Sequence, residues 1–292
     1  MSPPLSGFSI VKNASVQEYP VEVALRSVLP LCDELVVNVG VSEDDTLERV
    51  RAWSEAEGRG RVRILEVDWG AERGRTTVVH SEETNRAMDA CTHDWALYIQ
   101  ADEVLHPDDY PDLRRALARA DEDPRAEGLV FDYLHFYGSP DWVLWGRRSY
   151  RREVRLVRRS SGIRSVSGAQ GFRIDGRKPR VLAADATVHH YGYVKSRAGM
   201  TEKRRLSARY YGRDESEVET FRWRRHAGLV RFRGEHPPAA REWIGSEDWA
   251  FDPDAAPPPE LTPYEVKVRI SDAIERVTGR RLLEHRNYDL LE

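Results

Sequence analysis

Cysteine is nearly absent. Cys32 and Cys91 are the only two in 292 residues, too few for a disulfide framework and without the Cys-X-X-Cys spacing of a zinc site. Both lie in or beside apolar segments, where buried free thiols are expected. Long apolar runs are missing too. No stretch approaches the ~20 residues that span a bilayer, and the opening residues lack the pattern of a signal peptide. The expected compartment is therefore a reducing cytoplasm. No Gly-rich phosphate loop and no Lys-bearing signature stands near the first apolar run, which counts against a nucleotidyltransferase. Zinc-finger, basic-zipper and RNP-type motifs are absent, and the formal net charge is −4. Nucleic acid is not an expected partner of such a chain. Internal repeats are absent as well. With 40% hydrophobic and 32% charged residues, the composition sits well away from the disordered class. The length suffices for one large domain, or one domain plus an extension.

What is present is an alternation of strand and helix signals. Phe8-Ser9-Ile10-Val11, Leu35–Val39 and Val62–Val67 are strand candidates. Helical patterns fall between them, around Val21–Val28 and Leu47–Trp53, with Asp44-Asp45-Thr46 supplying acidic and capping chemistry before Leu47. A further helix over Glu82–Ala90 leads into the run Trp95 to Ile99. This alternation implies an α/β protein with a mostly parallel sheet covered on both faces. Ligands of such sheets bind at the carboxyl edge. There, Trp95–Ile99 ends abruptly in Gln100-Ala101-Asp102-Glu103. An unpaired carboxylate inside a buried strand would be very unfavourable, so these acids belong at the strand's end. Oxygen ligands at that position suit Mg²⁺ or Mn²⁺ held against a diphosphate. The plainer reading is a polar turn that caps the next helix.

Charge is unevenly spread. Residues 147–180 hold eleven arginines and one lysine against Glu153 and Asp175 alone. Three readings stay open: a pair of surface strands with solvated arginine faces, a positive rim for an anionic ligand, or a stacking surface for nucleic acid. Just before it, residues 129–146 are rich in aromatics. Alternation puts Phe131, Tyr133 and His135 on one face and Asp132, Leu134 and Phe136 on the other. Trp142 and Trp145 fall past the expected strand. At His189-His190, adjacent strand residues face opposite sides, so one of the two can enter a site. Lys195, Arg197 and Lys203 follow on a segment suited to a lid. In the tail, Pro237-Pro238 and residues 255–259 break helical patterns. Thr262-Pro263-Tyr264-Glu265 opens a helix that runs to about Val277 and stops at Gly279.

Four of these segments, in order, carry a resemblance. They are Phe8 to Asn13, Glu34 to Thr46, Thr84-Asn85-Arg86-Ala87 leading into Trp95 to Glu103, and His189-His190-Tyr191-Gly192-Tyr193. Over roughly residues 7–200 the chain resembles the family 2 glycosyltransferases, with the GT-A fold. Gln100 to Asp102 stands where those enzymes carry an Asp-X-Asp metal motif, with Gln100 in place of the first Asp. Gln170 stands near the place of a His-Glu pair that many of them carry.

The resemblance implies a GT-A-type transferase domain over residues 1–203, its central sheet mostly parallel with helices on both faces; the helical patterns of the tail add a C-terminal extension over 204–292, packed on that domain, that could also serve as a dimer contact. It implies an inverting, metal-assisted transfer of a sugar from a nucleotide-diphosphate sugar to an acceptor that is a sugar, a lipid-linked sugar, a protein or a small molecule. Asp102 would bind Mg²⁺ or Mn²⁺, supported by Glu103, Gln100 and His190. Lys12, Asn13, Asn38 and Asp44 would line the nucleotide side, and Asn85 and Arg86 would meet the donor's ribose or phosphates. Asp141 or Glu153 would be the base, and Trp142 and Trp145 would touch the acceptor. The replacement of expected carboxylates by Gln100 and Gln170 supports a competing expectation. In that one, a catalytically degenerate protein of the same fold binds a nucleotide sugar or a polyanion without turnover.

Overall fold

The computed structural model describes residues 2–70, 78–210, 212–246, 249, 251–279, 281, 284 and 286–292. The first half is built from strands β1 (Leu5–Val11), β2 (Glu34–Gly40), β3 (Val62–Val67) and β4 (Trp95–Tyr98), with helices α1 (Val21–Val28), α2 (Thr46–Glu57) and α3 (Val78–Asp89) between them. The four strands are mutually parallel in the order β3-β2-β1-β4. All seven residues of β1 are buried, as a parallel strand covered on both faces requires. Alternation divides β2 between two cores. Leu35, Val37 and Val39 pack with α1 and α2, and Val36 packs with Ala87 and Met88 of α3.

The second half is mixed. β5 (Glu103–Leu105), α4 (Tyr110–Glu122), β6 (Gly128–Tyr137), β7 (Ser139–Leu144), β8 (Arg152–Arg158), the small pair β9 (Arg164–Val166) and β10 (Gly171–Arg173), and β11 (Arg180–Tyr193) follow in order. β8 runs antiparallel between β4 and β6, and β11 runs parallel to β6 on its other edge. β5 starts soon after β4 in the chain and pairs with β11. The path β4-β8-β6-β11-β5 therefore curls back toward the strand it left. The residues between β4 and β5, which include Gln100 and Asp102, are brought against the end of β11.

From residue 204 onward the expectation was a helical extension. Helices are there: the end of α5 (Arg197–Tyr210), α6 (Pro238–Gly245) and α7 (Pro263–Thr278). The same stretch also supplies two short strands, β12 (Leu229–Arg231) on β7 and β13 (Asp289–Leu290) on β11. Both cysteines are buried and free, and burial pushes the Cys91 thiol up to about 12. No helix among the described residues is long and apolar enough to cross a membrane.

Candidate functional site

A cleft of about 580 Å³ opens where β1 and β4 end, lined by Val11 and Lys12 on one side and Tyr98, Gln100 and Asp102 on the other. Its far wall comes from His135 on β6, Arg148 and Tyr150 before β8, Arg155 on β8, His190 on β11 and Lys203 on α5. Trp69 covers the end of β2. Only glycine at position 40 permits this, because a Cβ there would stand 2.8 Å from the indole.

Asp102 is 7% exposed. Burial alone would raise its pKa, but His190, Lys203 and Lys195 outweigh that and hold it below the usual carboxylate range. Its Oδ2 lies 3.6 Å from Nε2 of His190, too far for a hydrogen bond. The hydrogen-bond chain behind His190 explains the gap. His135 Nε2 lies 2.8 Å from the Tyr150 carbonyl. A carbonyl only accepts, so this nitrogen carries the proton. Burial, and then His190, push the His135 pKa well below its ordinary value, so the ring is neutral and its Nδ1 is an acceptor. That Nδ1 lies 3.0 Å from Nδ1 of His190, which must then be the donor. Burial lowers the His190 pKa against the pull of Asp102 and Glu103. In the protonated ring His190 supplies the charge that steadies the Asp102 carboxylate; in the neutral ring the remaining lone pair, on Nε2, faces that carboxylate, and two acceptors confront each other. Gly192 keeps the space beside them open, since a Cβ there would lie 2.7 Å from both Asp102 Oδ2 and His190 Nε2.

Glu103, expected as a supporting metal ligand, is turned away from this space. Its carboxylate accepts from Arg155 Nε at 3.0 Å and Nη2 at 2.8 Å and from the Tyr133 hydroxyl at 2.8 Å, and both ionic partners are almost fully buried. Arg155 reaches it through a β-bulge. Leu129 pairs with Leu156 and Val130 with Val154, so Arg155 is the extra residue and is re-aimed inward. Gln100 lines the cleft, with its Nε2 donating to the Ala169 carbonyl at 3.2 Å. Among the described residues no group of three or more His, Cys, Asp or Glu is arranged to hold a metal ion. Asp102 and His190 form a two-ligand set that fits a hard cation only with further oxygens from a ligand.

Several other expected site residues serve the scaffold. Glu153 does not line the cleft, and its carboxylate accepts from Asn287 Nδ2 and the Val154 amide, each at 3.0 Å. Asp141 is exposed on β7, outside the cleft. Neither is placed to act as the base there. Asn38 sits behind Trp69, accepting from its Nε1 at 3.2 Å and donating to Glu83. Asp44 accepts from the Thr46 amide at the start of α2. Asn13 adopts φ 53° and accepts from the Glu43 amide at 2.9 Å. Asn85 exchanges hydrogen bonds with the backbone of Ser165, and Arg86 donates to Glu83. Trp142 lies within β7, and Trp145 stacks under Arg151 at 4.3 Å. Of the expected set, Lys12, Gln100, Asp102 and His190 share the cleft.

Sequence reasoning did not name His135 or Tyr150 as site residues, and it reached Arg148 and Arg155 only within one of three open readings, a positive rim over residues 147–180. The alternation that grouped His135 with Tyr133 was the available signal for the first. No local pattern announces a bulge or a loop carbonyl. Arg148 is held by Glu265, which is fully buried at the start of α7.

No protein-family model matches the chain, and no curated protein matches it. Among solved structures, the chain is similar to glucosyl-3-phosphoglycerate synthase from Mycobacterium tuberculosis in complex with Mn²⁺, uridine diphosphate and phosphoglyceric acid. The identity is 22% and the TM-score 0.32, over 46% of this chain and 43% of that one. It is also similar to TarS from S. aureus, at 13% identity and a TM-score of 0.39 over 70% of this chain and 39% of that one. For TarS 1–349 the figures are 14% and 0.37, over 71% and 65%. The match spans less than two thirds of each of these chains. Likenesses this slight leave the reading of the site to its own geometry.

Proposed function

We propose that the cleft binds a nucleotide-diphosphate sugar and that the protein is a GT-A-type glycosyltransferase acting with Mg²⁺ or Mn²⁺. The observation that carries this reading is the acceptor pair, Asp102 Oδ2 and His190 Nε2, 3.6 Å apart across a space that Gly192 leaves free. Two lone pairs pointed at one another in a buried site call for a positive charge between them. Asp102 and His190 would hold the cation, with the diphosphate completing its shell, as is common for Mg²⁺. When bound, a divalent cation offsets the charge that grows on the diphosphate as the glycosidic bond breaks. The chain's own cations act in the same direction. Lys12 and Lys203 line the cleft beside Asp102, while Arg148 and Arg155 there are already paired with Glu265 and Glu103. Lys203 is held by its hydrogen bond to the Gly192 carbonyl at 2.8 Å and needs little reorganisation as charge develops. Tyr193, 39% exposed in the cleft lining, offers the base or the sugar an aromatic platform.

Calorimetric titration with uridine diphosphate, with and without Mn²⁺, tests the reading. Binding should strengthen about tenfold or more with the metal, the coupling expected where ligand and cation share a shell. Hydrolysis of a nucleotide sugar should be measurable in the same buffer. Failure to bind a nucleoside diphosphate under either condition would remove the proposal.

A second reading, a binding module without turnover, rests on the fact that Glu103 is committed to Arg155 and the Gln100 amide to Ala169. It requires nucleotide affinity that ignores Mn²⁺ and survives Asp102→Asn.

A further inference from the structure

Helix α7 is amphipathic in the reverse of the usual sense. A surface helix ordinarily turns an apolar stripe to the core and its charges to water. The inward stripe of α7 is instead Glu265, Val268, Asp272 and Glu275. Its three acids are committed to the segment before β8. Glu265 accepts from Arg148, Asp272 accepts from the Arg147 amide at 2.8 Å, and Glu275 pairs with Arg151 at 2.5 Å. Val268 is the one buried apolar residue of the helix. Since Arg148 also lines the first cleft, α7 backs that cleft's wall and is held there chiefly by charge.

The apolar residues lie on the outside. Val266, Ile270, Ala273 and Val277 recur at alternating four- and three-residue spacing, which sets them in one stripe on the face opposite those acids. Val266 is 43%, Ile270 55% and Val277 87% exposed, and Ala273 is exposed as well. Scattered exposed aliphatics are ordinary, but a continuous stripe of them marks a contact surface. Helical geometry puts Lys267 on one flank of the stripe and Arg269 and Arg276 on the other, and all three are exposed. Arg269 also reaches back to Glu265 at 3.4 Å. No acid of the helix shares this outer face.

This combination selects among partners. A second copy would meet the same patch across a two-fold axis, and cations would then face cations. An apolar stripe with cations on both flanks fits a surface that is apolar beneath and negative at its rim. We infer that the protein docks on anionic lipid through the outer face of α7, with the stripe lying flat in the boundary between headgroups and acyl chains and the flanking cations reaching the phosphates. α7 has 16 residues, and no helix among the described residues can cross a membrane, so the contact is docking and not spanning. It rests on this face of α7 and not on the transferase reading.

The test is co-flotation of the full chain with vesicles of phosphatidylcholine alone and of an equal mixture of phosphatidylcholine and phosphatidylglycerol. The chain should float with the mixed vesicles, less so as salt is raised, and hardly at all with phosphatidylcholine alone. Ile270→Asp should weaken binding about tenfold or more, since it removes a large apolar side chain from the contact and sets an acid in its place. Lys267→Gln should weaken it about fivefold, the share of one basic residue. Uridine diphosphate affinity should be unchanged in both, because neither position lines the first cleft. If Ile270→Asp fails to fold by circular dichroism, Lys267→Gln decides. No flotation with the mixed vesicles, or flotation that neither variant weakens, overturns the inference. So does a dimer in sedimentation velocity that Ile270→Asp dissociates, which would give the face to a second copy. Vesicle binding without nucleotide binding would remove the transferase reading and leave the docking face standing.

Discussion

Asp102 and Glu103 are neighbours in the chain with opposite fates. Asp102 faces the cleft and His190, and Glu103 is sealed against Arg155 and Tyr133. Glu103→Gln would leave the Arg155 charge buried and uncompensated. It should destabilise the fold by about 3–5 kcal/mol, the usual consequence of removing one partner of a buried pair, as read by urea unfolding. Asp102→Asn removes a charge that Lys203 and Lys195 stabilise, so it should lower the unfolding midpoint, though less than Glu103→Gln does, and abolish the effect of Mn²⁺ on nucleotide binding. Gly192→Ala makes the same point by shape. Its φ is not left-handed, so alanine is conformationally acceptable, but the new methyl would stand 2.7 Å from both acceptors. Metal-dependent binding should be lost with helix and sheet content intact. His135→Phe removes the ring that fixes the His190 tautomer. It should weaken Mn²⁺-dependent binding about 10–100-fold, the range seen for groups that orient metal-ligating histidines. If Mn²⁺ dependence survives Asp102→Asn and Gly192→Ala alike, the cation does not sit between Asp102 and His190.

At the scale of elements, what is local was legible and what is long-range was not. The Thr262-Pro263-Tyr264-Glu265 signature places α7 correctly. The helix begins at Pro263, the Thr262 hydroxyl accepts from the Glu265 amide at 3.1 Å, and Gly279 ends it at φ 67°. Thr262→Ala should therefore destabilise the protein by about 1 kcal/mol, measurable as a lowered thermal midpoint. The parallel strands were equally readable, because strands buried on both faces are apolar runs. Arg155 could not be read that way. A period of two places arginine on a solvated face, and a one-residue bulge turns it into the interior. The arginine-rich stretch thus resolves residue by residue. Arg155 pairs inside with Glu103, Arg148 is tied to Glu265 and Arg151 to Glu275, while Arg164 bonds Asp89 on the surface. Nor could sequence tell that the candidate bases Asp141 and Glu153 lie outside the cleft, since that depends on how the β6–β8 half curls.

At the scale of the whole molecule, buried histidines set the response to acid. Burial, then His236 and His106, lower the His189 pKa to about 3, and burial and then Arg148 lower that of His226 to about 4. An unfolded histidine titrates near pH 6.5. Between that value and the folded pKa, the unfolded chain holds a proton that the folded chain does not, so stability must fall as pH falls. The window opens below about pH 6.5 and closes near pH 3 for His189. Its slope approaches about 1.4 kcal/mol per pH unit for a fully depressed group, or about 2 kcal/mol from His189 alone between pH 6.5 and 5. Half-exposed His226 adds less. His189 also offers a clean control. It stacks on Phe136 with ring centroids 5.9 Å apart, on the face away from the cleft, and its Nδ1 has no hydrogen-bond partner among the described residues. His189→Phe keeps that stacking and removes the titrating ring. Urea unfolding at pH 7 and pH 5 should show a clear loss of stability at the lower pH in the parent chain and a smaller loss in the variant. Equal losses in the two would mean that His189 is not held neutral by its surroundings.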